Sequence, residues 1–411
     1  MQDSILILPP PMNPSKVLSR WPELPSELLD VIARKLISYV DYVRLRAVCP
    51  SWRLNLPKKP SFTQLPLLLL PHYENNIVSE THCSLFNLSD EKTYRLELPE
   101  VIAKGKQCWG SPHGWLVVLD EEGPFLSLLN PLTRDQIQLP SLFFFPSTLQ
   151  NDQVSNIVLP WDSIGYLRNS YVVKAALFAK PSVSTDFIVM VIMEDGPCSL
   201  VFFRSGDVAW TLIREAKLNV YKDVVCFQGK FFVVDSSGSV YICHLAASPN
   251  VVKVADPPEN PFADVPEKMY LVESVNELLL VYRHHIHLDG RSYDSTYYFT
   301  VHKPDFSESR WSNVDNMGDQ VLFLGTNCSF SLSARNCPTC RGNSIYYTDD
   351  YRFPVGSLGE SQSRSDCIRG YDLGVFNLDY GGVDMLPSCP VSNLFNIKYL
   401  RPAPVWITLS P

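Results

Sequence analysis

The sequence predicts an α+β multidomain chain, with a small N-terminal module of three helices followed by an all-β domain, most economically a six-unit β-propeller. Two observations support this fold class. Residues 21–56 carry short apolar helix patterns with their own start signals, and short strand-like runs separated by turn residues fill residues 65–411. A pair of packed β-sandwiches is the alternative for the second part. We expect three segments, a flexible N-terminus, the helical module and the β-rich recognition domain, at residues 1–19, 20–60 and 61–411.

Ser26 is predicted to be the N-terminal cap of the first helix of the module. The Ser26 side chain can cap the helix by accepting hydrogen bonds from free backbone N–H groups. Val31 and Ile37 extend the apolar surface beyond what one internal contact would cover, so the pattern indicates a helix that needs a partner. The first helix also carries an apolar stripe on one face, at offsets of one, four and eight residues from its first member. The stripe comprises Leu28, Leu29, Ile32 and Leu36.

Two further helices are predicted after this stripe. Asp41 is the expected cap of a second helix over residues 42–48. Pro50 should end that helix, because the residue before a proline disfavours the α region, and can open a third helix as a first-turn residue. Periodicity alone leaves open whether the module packs on the rest of the chain or on a partner.

The order of residue types in the module is more specific than its periodicity. Leu24-Pro25 precedes the apolar helix, and Asp41-Tyr42, Val48-Cys49 and Ser-Trp-Arg at residues 51–53 follow it in turn. This order closely resembles the F-box, the module by which substrate receptors dock onto the Skp-type adaptor of cullin–RING ubiquitin ligases. The resemblance implies an interface, and some of its residues would instead hold the core of the module. The implied adaptor-binding residues are Leu24, Pro25, Leu28, Ile32, Leu36, Val48, Cys49 and Trp52.

Repeated strand–turn–strand units predict the β domain. Residues 113–139 read HGWLVVLD, a turn, FLSLLNP and DQIQLP, and the same order recurs at residues 223–256 around a turn at Ser236–Gly238. About six such units follow one another, each of roughly 58 residues, somewhat more than the ~50 of kelch blades. A β-propeller is the economical interpretation, because radial repetition leaves few exposed sheet edges. The usual Gly-His and Trp-Asp blade signatures are absent from the sequence.

Phrases of the β domain also resemble a large plant group of F-box proteins. They include GWLVVLD with LLNPLTRDQIQLP, FFRSGDVAWT, DVVCFQGKFFVVD, YLVESVNELLLVYR and NSIYYTDD with DLGVFNL. The likeness runs from about residue 20 to the closing PVWI. Some members of this group are known as kelch-like partners of the Skp adaptor, and their β-rich domain has no assigned chemistry. The resemblance therefore implies a ligase subunit without implying a target.

The charge and composition of the chain limit the kinds of partner that it is expected to bind. The net charge is −8, but residues 1–60 hold nine Lys and Arg against five Asp and Glu, which leaves 26 against 38 in the remainder. The helical module is thus +4 and the β domain −12, which argues against a nucleic-acid-binding surface. Eleven cysteines without regular spacing suit a reduced, soluble, intracellular protein of the nucleus or cytoplasm, and no apolar run is long enough to span a membrane.

Catalytic and metal-binding patterns are mostly missing from the sequence. No nucleophile elbow, Walker loop or His-Glu-x-x-His motif occurs, so we expect neither a catalytic group nor a cofactor. Cys337 and Cys340 form a lone Cys-x-x-Cys, interpreted as a surface loop with two free thiols rather than a zinc site. His284, His285 and His287 are interpreted as a solvated hairpin rather than half of a metal site.

Tryptophans recur across the β region, and most are expected to pack between blades. One or two near a propeller mouth could instead contact a peptide or a sugar. They are Trp109, Trp115, Trp161, Trp210, Trp311 and Trp406.

Three functions from different classes follow from these patterns. The first is a substrate receptor of an SCF-type (Skp–cullin–F-box) ubiquitin ligase, which binds the Skp-type adaptor, and through it cullin and a RING subunit, and holds an unidentified target protein on the β domain. The second is an F-box scaffold protein that acts outside a ligase. The third is an enzyme with an active site in the propeller channel, which would need inward-facing Asp, Glu or His residues at one mouth of the domain.

Overall fold

The chain divides into two compact units, Met1–Gln64 and Leu65–Pro411. The computed structural model describes residues 18–36, 39–57, 65–74, 77–102, 106–120, 125–142, 172–193, 200–213, 220–259, 268–287, 294–308, 310–337, 339–350, 372–386, 389 and 403–409. Most of the predicted N-terminal segment, Ile37 and Trp161 lie outside these residues. Among the helices of the described part, none is long and apolar enough to cross a membrane.

Unit 1 contains the three predicted helices, with different starts for the first two. After a 3₁₀ helix at Leu18–Glu23 come α1 (Ser26–Arg34), α2 (Tyr39–Ala47) and α3 (Pro50–Asn55). The predicted cap at Ser26 is wrong, because Ser26 is already helical and the cap residue is Pro25, which makes no side-chain cap bond. Pro50 opens α3 as predicted.

The second correction concerns Asp41. α2 begins two residues before it, so Asp41 lies in the first turn of the helix and is not its cap. Its carboxylate forms an exposed ion pair with Arg44 at 3.1 Å, three residues later on the same face. An acidic group in the first turn also suits the helix dipole, which explains the residue type without a capping function.

Unit 2 is a six-bladed β-propeller, as the repeats predict. Blade 1 contains β1 (Leu67–Glu74), β2 (Ile77–Asn87) and β3 (Lys92–Glu97). A short helix, α4 (Pro99–Ile102), leads to blade 2. Blade 2 contains β4 (Gln107–Gly110), β5 (Leu116–Leu119), β6 (Phe125–Leu129) and β7 (Gln136–Ser141). Blade 3 contains β8 (Val172–Phe178), β9 (Ile188–Met193), β10 (Leu200–Arg204) and β11 (Thr211–Leu212). Blade 4 contains β12 (Tyr221–Phe227), β13 (Lys230–Asp235), β14 (Val240–His244) and β15 (Asn250–Ala255).

The last two blades are less regular. Blade 5 contains β16 (Lys268–Ser274), the long pair β17 (Glu277–His287) and β18 (Asp294–Asp305), and β19 (Arg310–Asn313). Blade 6 has five strands, β20 (Gln320–Leu324), β21 (Phe330–Ser333), β22 (Ser344–Tyr347), β23 (Gly374–Asn377) and β24 (Gly382–Asp384), in the order β21-β20-β22-β23-β24. β20 lies parallel to β22, which inserts an extra strand into the blade.

The C-terminal strand closes the ring. β25 (Val405–Ile407) pairs antiparallel with β1 and completes blade 1, with Trp406 opposite Leu68. The inner strands of neighbouring blades contact each other in the order β25, β4, β8, β12, β16 and β21. The rings of Phe323 in blade 6 and Trp406 lie 5.2 Å apart, which joins the last blade to the first.

Apolar clusters between successive blades form the core. The clusters join blades 2 and 3, 3 and 4, 4 and 5, 5 and 6, and 6 and 1. Four of the predicted packing tryptophans are buried, and Trp311 packs partly buried against the cluster of blades 4 and 5. The four are Trp109, Trp115, Trp210 and Trp406.

Candidate functional site

The helical unit has a small core of its own. Leu29, Ala33, Tyr42, Trp52 and Leu56 are buried together in it. Large apolar side chains from all three helices and the residue after α3 therefore meet in one cluster. A core this small cannot cover every apolar side chain of the unit.

Trp52 ties the 3₁₀ helix to this core. Its indole Nε1–H donates to the carbonyl oxygen of Trp21 at 2.8 Å, and the two rings meet edge to face with centroids 6.3 Å apart. Beside it, the Ser51 hydroxyl donates to the Pro22 carbonyl at 2.9 Å. In the same core, the Tyr42 hydroxyl donates to the Pro57 carbonyl at 2.7 Å, and burial raises the pKa of Tyr42. Trp52 is thus a core residue that holds the preceding 3₁₀ helix against the core of the unit.

Helix α1 carries two apolar stripes rather than one. Leu29 and Ala33, four residues apart, face the core, and Leu36 continues this line after the helix ends. Leu28, 52% exposed, and Val31, 51% exposed, are three residues apart and lie on another face, next to half-buried Ile32. The predicted stripe mixed members of both faces. An α-helix turns 100° per residue, so adjacent Leu28 and Leu29 cannot share one contact.

Leu24 and Pro25 shape the start of α1. The Pro25 carbonyl accepts hydrogen bonds from the backbone N–H groups of Leu28 and Leu29, each at 3.1 Å. Leu24 packs partly buried against the core cluster, whereas the Pro25 ring is exposed. Changing this pair would disturb the helix start as well as any partner contact.

The eight predicted adaptor-binding residues thus occupy four environments. Trp52 is in the core, and Leu24, Leu36 and Cys49 pack against it from the edge. Ile32 is half-buried. Leu28, Pro25 and Val48, the last 56% exposed, present apolar surface to solvent. Sequence reasoning gave no contact role to two other exposed apolar residues, Trp21 and Leu54.

We call the exposed set the apolar face. It comprises Trp21, Pro25, Leu28, Val31, Val48 and Leu54. None of these side chains can act as an acid, a base or a nucleophile, and what they offer to a partner is apolar area that can be buried. Each fully buried Leu or Val would contribute on the order of 2 kcal/mol.

Unit 2 contains buried charges near its inner strands. The Lys174 ammonium in β8 lies 3.1 Å from an Asp223 carboxylate oxygen in β12, and both side chains are almost fully buried. Asp223 also accepts from the backbone N–H of Leu271 at 2.9 Å, in the next blade. Burial raises the pKa of Asp223, against the opposing effect of Lys174 and two backbone N–H groups.

A second buried group surrounds Arg283 of β17. Its guanidinium lies 3.2 Å from Asp350 and 2.9 Å from Asp372, and it also donates to the Tyr270 hydroxyl at 3.0 Å. Asp372 accepts from the Thr296 hydroxyl at 2.6 Å. Although burial opposes ionisation, Arg283 and these donors lower the pKa of Asp372 to about 2. Both carboxylates are paired with the Arg283 guanidinium, so neither is placed to act as a general acid or base.

The histidine prediction is wrong for the two described side chains. His284 is buried in β17, and the His285 side chain is also buried, with Nε2 3.4 Å from Asp372. The pairing of β17 with β18 shifts between them, because Tyr297 is an extra residue in β18. The His284 ring lies beside the Thr300 hydroxyl, with Nε2 3.3 Å from its oxygen, whereas the His285 ring lies beside Asp372 of the Arg283 group. The His287 side chain lies outside the described part.

The cysteine prediction is also wrong. Cys337 and Cys340 are joined by a disulfide, and both are buried in the apolar cluster between blades 6 and 1. The 3₁₀ helix at Ala334–Asn336 turns the chain inward before Cys337. Among the residues that the structure describes, no group of three or more His, Cys, Asp or Glu side chains could hold a metal ion.

Comparison with known proteins points to one family. The profile of the KIB1-4 beta-propeller family matches residues 85–377, which is more than half of the chain. F-box protein SKIP23 of Arabidopsis thaliana is 27% identical over 94% of this chain and 95% of its own. F-box protein At2g17036 of the same plant is 25% identical over 95% of each chain. F-box/kelch-repeat protein At1g64840 is 24% identical over 81% of this chain and 85% of its own.

Proposed function

Because the chain belongs to the KIB1-4 beta-propeller family and its relatives are F-box proteins, we propose that it is a substrate receptor of an SCF-type ubiquitin ligase. Unit 1 docks on a Skp-type adaptor, which connects it to cullin and a RING subunit. The propeller holds a target protein. The assembly works inside the cell, in the nucleus or cytoplasm, without a membrane or nucleic-acid partner.

The apolar face carries this proposal. A 36-residue segment that buries its own core still exposes Leu28, Val31 and Val48 at about half of their surface each. Exposed apolar residues are common singly, but a concentration of them in so short a unit is typical of an interaction site. The face includes three of the residues that the F-box resemblance assigns to adaptor binding, namely Pro25, Leu28 and Val48.

The mechanism is positioning. A receptor that binds the adaptor through one unit and the target through the other raises the effective concentration of target lysines near a charged ubiquitin-conjugating enzyme. The chain itself supplies no catalytic group to this reaction. The engaged carboxylates of the Arg283 group are consistent with that role.

Affinity capture from a plant extract tests the proposal. Wild-type protein should recover the Skp-type adaptor, cullin and the RING subunit together. Leu28→Asp should lose all three, because it places a charge in an apolar contact. Val208→Asp, at a valine of unit 2 that is 91% exposed, is the control and should keep them. Recovery of the adaptor without cullin would contradict a ligase role and favour a scaffold outside the ligase.

A further inference from the structure

The connection between β20 and β21 contacts blades on the opposite side of the propeller. It leaves blade 6 and reaches blade 3, where the Lys174 ammonium donates to the Gly325 carbonyl at 3.0 Å. Three residues later, the Cys328 thiol donates to the Ala175 carbonyl at 3.4 Å. Blades 3 and 6 stand opposite each other in a ring of six, so a segment of one that contacts the inner strand of the other has to lie in the channel between them.

The same segment satisfies free strand edges that face the channel. The inner strand of every blade has one edge without a neighbouring strand. Cys328 donates its backbone N–H to the Gly110 carbonyl of β4 at 2.8 Å, and so pairs with blade 2 as well. Asn327 is fully buried, and its side-chain amide donates to the carbonyls of Phe323 and Cys328. The segment is therefore packed and hydrogen-bonded within the channel.

Lys174 connects this segment to blades 4 and 5. The ammonium that holds Gly325 also pairs with Asp223 of blade 4, which in turn accepts from the Leu271 N–H of blade 5. A charge this deeply buried is costly unless every partner is in place. Displacing the segment would remove one of the partners of Lys174.

We propose that residues 325–329 form an axial plug, which closes the central channel and locks blade 6 to blade 3 through Lys174 and to blade 2 through the backbone N–H of Cys328. The plug fills the space in which a channel ligand or an active site would lie. A binding partner of this propeller therefore contacts its outer surfaces. This inference concerns the β domain alone and does not depend on the docking of unit 1.

Gly325 offers a sharp test of the plug. Its φ is +152°, and a Cβ there would lie 2.0 Å from the Thr348 hydroxyl oxygen and 3.2 Å from the Asn327 side-chain oxygen. Thr348 and Asn327 are fully buried, so they cannot move aside into solvent. Gly318, two residues before β20, has a φ of +64° with nothing within 4 Å of its Cβ position. Gly318→Ala thus imposes backbone strain without a clash and is the matched control.

Hydrogen–deuterium exchange of the full chain gives the readout. Gly325→Ala should raise exchange in β8, about 150 residues away in sequence and across the axis, by about tenfold or more. Gly318→Ala should leave β8 at its wild-type rate. Unchanged β8 exchange in Gly325→Ala, or an equal rise in Gly318→Ala, would overturn the plug.

A second pair of variants tests the plug if Gly325→Ala does not fold. Lys174→Met keeps most of the side-chain length but removes the charge that holds Gly325 and Asp223. It should raise exchange in the segment 325–329 and in β12. Lys303→Met removes an exposed ion pair with Glu277 and should do neither. Wild-type exchange at both places in Lys174→Met would refute the lock.

Discussion

Leu28 and Leu29 show how adjacent residues of one type take different functions. Leu29 is fully buried, while Leu28 is about half exposed. The sequence predicts the helix and its apolar character from residue types and spacing. It cannot divide the stripe into an inner and an outer face, because that division depends on where α2 and α3 pack. The buried pairs of Arg283 were not predictable either, since Asp350 and Asp372 come from distant parts of the chain.

The core role of Trp52 gives the first prediction. Trp52→Ala should lower the free energy of unfolding of unit 1 by about 3 kcal/mol or more, because it leaves a cavity and removes the bond to Trp21. Leu28→Ala should change it by less than about 1 kcal/mol, since an exposed side chain leaves no cavity. Chemical denaturation followed by tryptophan fluorescence or far-ultraviolet circular dichroism measures both. Equal destabilisation by the two changes would contradict the separation of core and apolar face.

Asp372 gives a pH prediction. Its pKa is lowered to about 2 in the folded protein, below the ordinary value of about 3.9. The stability that it contributes is therefore complete above about pH 4 and is lost as the pH falls towards 2. Asp372→Asn should lower the free energy of unfolding at neutral pH by about 3 kcal/mol, since it leaves Arg283 with one carboxylate fewer. It should also reduce the loss of stability between pH 4 and pH 2, because the group that titrates there is gone.

Thermal unfolding of both proteins from pH 5 to pH 2 checks this expectation. Asp256→Asn is the control, because Asp256 is an exposed carboxylate paired with Lys253. The control should follow the wild-type curve. If Asp372→Asn lost as much stability as the wild type between pH 4 and pH 2, the carboxylate would not stabilise the fold.

At the scale of elements, the repeated strand units predict six blades because each unit carries its own apolar alternation and turns. They do not predict that β25 completes blade 1, since the final PVWI is too short to signal a strand by alternation. Nor do they predict the parallel fifth strand of blade 6. Both features depend on pairing between distant segments, which a local pattern does not contain.

Ring closure by β25 gives an element-level prediction. A chain that ends before residue 403 loses one of the two strands that pair with β1, and it exposes the apolar cluster against which Trp406 packs. It should therefore unfold at a lower temperature and associate through the open edge. Size-exclusion chromatography and thermal unfolding measure both effects. A synthetic peptide of residues 403–411 should restore the monomer. A truncated chain as stable and monomeric as the full chain would contradict closure by this strand.

At the scale of the whole molecule, the two units differ in charge and in chemistry. Unit 1 is basic and exposes an apolar face, whereas the larger acidic unit buries two groups of paired charges, around Lys174 and Arg283, and closes its axis with a plug. Its closed axis removes the channel from the sites where a target could bind. This division of properties suits docking through one unit and recognition through the other.

The affinity of the full chain for a purified Skp-type adaptor tests the central claim most directly. Isothermal titration should show saturable one-to-one binding for the wild type. Val48→Asp should weaken it by about thirtyfold or more, the loss expected for a central anchor worth about 2 kcal/mol. Val208→Asp, the same change at an exposed valine of unit 2, should bind as the wild type does. No binding by the wild type, or equal affinity of wild type and Val48→Asp, would contradict adaptor docking through the apolar face.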